Sequence, residues 1–209
     1  MSGSLRAAGS PNGNIFNVLA KENTSLAARR GWVLAGGRSS RMGSDKAFME
    51  IGGRPLALIV AGRLAQVCRS VSIVGDPAAY GPFGLPVVAD HFPGRGPLAG
   101  IEAALAATDT EWNLIAACDM PALDTAFLET LFGCDADCAL PVHPDGKTEP
   151  LCAVYHRRIL PVIRTALESG VRRVTDALQT LAVRYVPVDS AAPFENLNTP
   201  ADLRRYLHG

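Results

Sequence analysis

The chain has 209 residues, Lys+Arg 20 against Asp+Glu 20, and a composition that is 48% hydrophobic and 19% charged. That length suits a domain with a substantial core, and the composition excludes a disordered or fibrous chain. A formal net charge of +0 removes any global pull toward nucleic acid or an anionic membrane, and no apolar run approaches the roughly 18–20 residues that span a bilayer.

In chain order, residues 1–30 are rich in Ser, Gly, Asn and Ala without periodicity, and are expected to be a disordered tail. Ile15–Ala20 is the one stretch there with the character of a helical turn. Residues 31–209 are expected to form a single domain. Trp32–Gly36, Val71–Gly75, Pro86–Asp90 and Trp112–Asp119 are short apolar runs without polar alternation, each ending in Gly or Asp. Strands buried on both faces of a parallel sheet have this character. Between them lie predicted helices at Leu56–Cys68, Leu98–Thr108 and Asp124–Leu131. The first of these carries Leu56, Ile59, Val60, Leu64 and Val67 at helical spacing, a core-facing stripe. Strands follow at Cys138–Val142 and Leu151–Tyr155 around the loop His143–Pro150. Helices are then predicted at Ile159–Glu168 and Thr175–Leu181, a strand at Val183–Val188, and a last helix with Thr199 as N-cap and Pro200 at its first position. This alternation predicts an open α/β sheet covered by helices, whose ligands bind outside the carboxyl ends of the strands.

The segment Leu34–Lys46, LAGGRSSRMGSDK, follows a buried strand. Its glycines let backbone N–H groups approach a ligand closely and form an anion nest, and Arg38, Arg41 and Lys46 supply positive charge. The spacings of the P-loop and of the dinucleotide fingerprint are both absent, so the segment reads as a phosphate loop of another class. Asp119 ends the strand NLIAACD. On the residues alone, a metal-binding carboxylate and a cap of the following turn are about equally good accounts of it.

Leu34–Leu56 closely resembles the opening signature of the nucleotidyltransferases that activate a phosphorylated acceptor with an NTP. Its form L-A-G-G-x-S-x-R-M-G-x-D-K, with Gly96–Ile101, Cys118–Pro121 and Phe194–Leu203, is similar to the MobA family, the molybdenum cofactor guanylyltransferases. The resemblance implies a Rossmann-like open, mostly parallel sheet with helices on both faces, of the nucleotide-diphospho-sugar transferase type. It implies transfer of GMP from GTP to the terminal phosphate of the molybdopterin cofactor, with Mg²⁺ as the metal. It makes Leu34, Ala35, Gly36, Gly37, Arg41, Lys46, Asp90, Gly96 and Asp119 nucleotide-binding residues. Of these, Arg41, Lys46 and Asp119 are expected to be catalytic, and Asp119 is the metal ligand. Asn196 and Asn198 are expected at the acceptor, although turn and capping chemistry also suits Asn198.

Asp90 has a bland alternative as a surface carboxylate, and His91 reads as a loop histidine rather than a base. Asp45 is expected to orient Lys46 by an ion pair. The family's asparagine after the second strand has no clear counterpart, Asp76 standing in its place. The loop at His143–Pro150 is expected to border the pterin, with Lys147 solvated. A cytidylyltransferase using CTP is the nearest alternative, set against by Gly36-Gly37 where that relative has L-A-A-G. A non-catalytic molybdopterin or nucleotide carrier is a second. Proteins of molybdopterin synthesis and molybdoenzymes are the expected protein partners, with no nucleic acid and no membrane.

The five cysteines are Cys68, Cys118, Cys134, Cys138 and Cys152. Their odd number and the lack of an apolar leader segment predict reduced, mostly buried thiols in a cytoplasm. Cys134 and Cys138 lack the second ligand pair that a structural zinc site needs.

Overall fold

A computed structural model describes residues 26–36, 45–133, 135–197 and 199–208. The expectations for Ile15–Ala20, Gly37, Arg38, Arg41, Cys134 and Asn198 fall outside the described residues.

The main sheet has seven strands: β1 (Arg29–Leu34), β4 (Ser70–Val74), β5 (Val87–Val88), β6 (Trp112–Ala117), β7 (Cys138–Val142), β8 (Cys152–His156) and β9 (Val183–Pro187), in the order β5-β4-β1-β6-β8-β7-β9. Two short strands, β2 (Glu50–Ile51) and β3 (Arg54–Pro55), pair as a separate hairpin. In the main sheet β8 runs antiparallel to both of its neighbours, while β5, β4, β1 and β6 are mutually parallel and β7 pairs in parallel with β9. The sheet is therefore mostly parallel, as the sequence predicts, with one returning strand.

Helices cover both faces. Leu56–Leu64 (α1) packs with Val33, Ile73, Leu114 and Val154 on one side. Pro97–Ala107 (α3) and Leu160–Glu168 (α5) pack with Trp32, Ile115, Ala153 and Tyr155 on the other. Neighbouring residues of one strand thus enter opposite cores, which is why the central strands are apolar throughout. Two large polar side chains of the core are paired: the Trp32 indole N–H donates to Asn113 Oδ1 at 3.0 Å, and the Tyr155 hydroxyl to the Pro150 carbonyl at 2.7 Å. Burial without such partners would cost on the order of 1–3 kcal/mol per group.

Several boundaries differ from the sequence reading. β1 begins at Arg29, so two residues assigned to the tail belong to the sheet. Their guanidinium groups find partners at the strand end: Arg29 lies 4.1 Å from the Phe132 ring centroid and pairs with Glu129, and Arg30 lies 4.7 Å from that of Trp32. The strand expected at Pro86–Asp90 shortens to Val87–Val88 at the sheet edge. α1 ends at Leu64 and tightens into i−3 turns before Cys68. The helix expected at Thr175–Leu181 is one turn, Val174–Ala177 (α6). The last helix, Pro200–His208 (α7), starts as predicted: Thr199 Oγ1 accepts from Asp202 N at 3.1 Å while Asp202 Oδ2 accepts from Thr199 N at 2.9 Å, a reciprocal cap. Among the described residues no helix is long and apolar enough to cross a membrane.

Candidate active site

Parallel pairing aligns the carboxyl ends of the central strands: Leu34 lies opposite Val74 on one side and Ala117 on the other. Beyond these ends, Ala35 N donates to Val74 O at 2.9 Å and Cys118 N to Leu34 O at 3.1 Å. The ladders thus continue by one step and hold Ala35 and Cys118 side by side at the crest. At two of the residues expected to bind the nucleotide, backbone groups, Leu34 C=O and Ala35 N–H, therefore serve the sheet. Gly36 follows with φ 90, a conformation that L side chains rarely adopt.

The chain returns to this crest at Asp45. Asp45 Oδ1 accepts from Ala47 N at 3.0 Å, which caps the 3-10 turn Lys46–Phe48. Lys46 Nζ then meets Asp119 Oδ2 at 3.1 Å, with side chains 23% and 13% exposed. Two residues 73 apart in sequence are thus brought together by adjacent strands. The ion pair expected between Asp45 and Lys46 is replaced by this one, because both Asp45 oxygens are engaged elsewhere: Oδ2 accepts from the Tyr80 hydroxyl. The capping role that competed for Asp119 falls instead to Asp124, whose Oδ1 accepts from Ala126 N at 3.0 Å at the start of Thr125–Thr130 (α4).

Asp90 stands two residues past β5 at the same carboxyl edge, its Oδ1 accepting from Phe92 N at 2.7 Å. Gly96 is the N-cap of α3 with φ 80. The loop between them is tied down from α3 by a residue that the motif reading passed over. Glu102, with its side chain 1% exposed, accepts from Arg164 Nε at 2.7 Å and lies 2.9 Å from His91 Nδ1. A lone charge in the apolar helix PLAGIEAALAA was the available signal. Glu102→Ala is expected to cost about 1–3 kcal/mol, measured as a lower urea midpoint at unchanged slope; an unchanged midpoint would show the cluster to be energetically idle. Asp76 caps the short helix Pro77–Tyr80 (α2), its Oδ1 accepting from Ala78 N at 2.9 Å.

Asn196 lines a cavity of about 710 Å³ together with Ala122, His143, Lys147, Glu149, Phe194, Leu197 and Arg205. Leu197 N donates to the backbone carbonyl of Asp119 at 2.9 Å, which ties the wall of this cavity to the Asp119 main chain. The loop at His143–Pro150 contributes to the wall of this cavity, and Lys147, its side chain 66% exposed to solvent as expected, also pairs with Glu149 Oε1 at 2.7 Å. His143 Nε2 approaches the same oxygen at 3.0 Å, and its ring stands edge-on to Phe194 at 5.5 Å. Sequence reasoning missed His143, Glu149 and Phe194, which acquire a common wall only when the hairpin meets residues 191–197.

The described thiols of Cys68, Cys118 and Cys152 are free and buried, and Cys138 is buried as well. Burial, reinforced by the neighbouring Asp119 and Asp45 charges, pushes the Cys118 thiol up to about 12, so it stays protonated and inert beside the site.

An open parallel sheet bearing a glycine turn, a lysine and a carboxylate at its carboxyl edge defines a nucleotide-site α/β protein. Residues 31–182 match the MobA-like NTP transferase domain, and the chain belongs to that family. It is 36% identical over 190 residues to the molybdenum cofactor guanylyltransferase of Vibrio atlanticus, covering 87% of this chain and 97% of that one. Among solved structures, molybdopterin-guanine dinucleotide biosynthesis protein A from Archaeoglobus fulgidus superposes with a TM-score of 0.72 at 28% identity, covering 84% of this chain and 95% of that one. A nucleotidyl transferase from Methanothermobacter thermautotroptrophicus shares the fold, with a TM-score of 0.67 at 17% identity over 86% of this chain and 95% of that one.

Proposed function

We propose that this chain transfers GMP from GTP to the terminal phosphate of the molybdopterin cofactor, releasing pyrophosphate. The observation that carries this reading is the contact between two compartments. Asp119, whose carboxylate pairs with Lys46 at the strand ends, accepts a hydrogen bond at its backbone carbonyl from Leu197 N, on the wall of the Asn196-lined cavity. A triphosphate at the first compartment and a phosphorylated acceptor in the second would meet at Asp119.

In the transfer, an oxygen of the acceptor phosphate forms a bond to the α-phosphorus as the bond from that phosphorus to the bridging oxygen of pyrophosphate breaks. The attacking phosphate is ionised at neutral pH, so the chain needs no general base. Positioning and charge neutralisation carry such a reaction. Lys46 holds the nucleotide's phosphates and the departing pyrophosphate, with Arg41 assigned to the same task. Asp90 and Gly96 are assigned to the nucleoside side together with Leu34, Ala35 and Gly36, and Asn196 to the acceptor, with Gly37 and Asn198 given the same tasks from the sequence alone.

Asp119 offers a hard carboxylate oxygen, and among the described residues no group of three His, Cys, Asp or Glu could hold a metal ion unaided. That donor set fits Mg²⁺, which takes most of its ligands from water and phosphate. Bound there, Mg²⁺ would neutralise charge on the reacting phosphates. We assign the reaction to one domain of residues 31–209 acting in a cytoplasm, an environment that suits the free thiols of Cys68, Cys118 and Cys152.

The test is pyrophosphate release with GTP and with CTP, each with and without molybdopterin. Release is expected only when GTP and molybdopterin are both present. Faster release with CTP would make the chain a cytidylyltransferase, and tight molybdopterin binding without any release would make it a carrier.

A further inference from the structure

Tyr80 lies outside every motif that marks the site, yet it touches the site's frame at three places. It closes α2, just after β4, with 3% of its surface exposed. Its ring crosses so close over Gly75 that a Cβ there would stand 2.4 Å from it. Its hydroxyl lies 3.3 Å from where a Cβ on Gly36 would stand, and it donates to Asp45 Oδ2. Gly36 ends the β1 crest and Asp45 immediately precedes Lys46, so one phenol joins the end of the strand to the start of the lysine turn. Phe48 and Phe83 enclose the same ring, at centroid distances of 5.7 and 6.1 Å.

The contact bears on charge. Asp45 is the carboxylate next to Lys46 in sequence, and a mobile aspartate there would compete for the ammonium. Its Oδ1 is held by Ala47 N and its Oδ2 by Tyr80, while Lys46 lies against Asp119 at 3.1 Å. Burial, helped by the Asp45 carboxylate, keeps the Tyr80 hydroxyl far above its ordinary pKa, so it remains a donor across the physiological range.

We propose that Tyr80 is a positioning residue of the nucleotide site: its hydroxyl restrains Asp45 from pairing with Lys46 and so keeps the lysine beside Asp119, where it would meet the triphosphate of the incoming nucleotide. The proposal rests on the nucleotide site of the preceding subsection, and its test separates the two. The full chain is titrated calorimetrically with GTP and with inorganic tripolyphosphate, with CTP as the competing nucleotide, all with Mg²⁺, and melting temperatures are recorded alongside.

Tyr80→Phe keeps the ring and is expected to weaken both ligands by about tenfold, the scale of one charge-assisted contact, with KM for GTP rising more than kcat falls. Adding Asp45→Asn is expected to restore most of the affinity, because asparagine still caps Ala47 N–H but carries no charge. A merely structural tyrosine predicts the opposite, a second loss. Asp45→Glu tests the same point with Tyr80 intact: the longer carboxylate leaves the hydroxyl, reaches Lys46 and should weaken both ligands likewise. Tripolyphosphate affinity equal to wild type in Tyr80→Phe and Asp45→Glu, or no recovery in the double variant, overturns the proposal. If tripolyphosphate behaves as expected while GTP shows no advantage over CTP, the guanine assignment falls and the role of Tyr80 stands.

Discussion

Asp119→Asn is expected to lower turnover by about 10³-fold, with no recovery as Mg²⁺ is raised to saturation, a loss comparable to removing one principal electrostatic stabiliser from a transition state. The substitution is nearly isosteric, and the backbone carbonyl that accepts from Leu197 N is retained, so the cavity wall stays in place. What disappears is one negative charge, and with it both the partner of Lys46 and the anionic oxygen available to a metal. Steady-state pyrophosphate release measures the effect. Near-wild-type turnover at saturating Mg²⁺ would remove Asp119 from the chemistry and, with it, the reason for placing the reaction at the junction of the two compartments.

Lys46→Met is expected to reduce kcat/KM for GTP by about 10²-fold, since the apolar stem is kept while the charge facing the phosphates is lost. Lys46→Arg is expected to recover only part of this loss, because a planar fork does not reproduce a compact ammonium. Combining Lys46→Met with Asp119→Asn should cost far less than the product of the single effects, as expected of groups that work as a unit. Multiplicative losses would mean that the 3.1 Å contact between them has no bearing on catalysis.

The legible part of the fold was the part built from local periodicity. Trp32–Gly36, Val71–Gly75 and Trp112–Asp119 read as buried strands because apolar side chains must fill both faces of a covered parallel sheet, and of the stripe Leu56, Ile59, Val60, Leu64 and Val67 all but the half-buried Ile59 are buried. Thr199 was readable as a cap because capping is a property of a few adjacent residues. Lys46 and Asp119 were each readable as motif members, but their mutual contact depends on β1 and β6 being neighbours, which no local pattern encodes. Tyr80 and Asp45 are likewise 35 residues apart. The Asp45–Lys46 pairing suggested by adjacency gave way to contacts made through tertiary structure. Glu102 was visible as a charge in an apolar helix, but its partners His91 and Arg164 come from two other segments. The antiparallel sense of β8 was equally hidden, since an apolar strand reads the same in both directions.

That returning strand has a consequence for how the molecule can change. β1, β4 and β6 lead into crossovers whose helices brace the core, so an altered linker at the nucleotide side disturbs packing over both faces of the sheet. β7 and β8 are joined instead by a surface hairpin, and its tip at His143–Pro150 supplies a wall of the cavity beside Asn196. Insertions at such a tip carry little thermodynamic penalty. Under the proposed assignment the architecture is modular: one flank would be locked to its donor by the core, and the other free to acquire a new recipient through drift in a single tolerant turn.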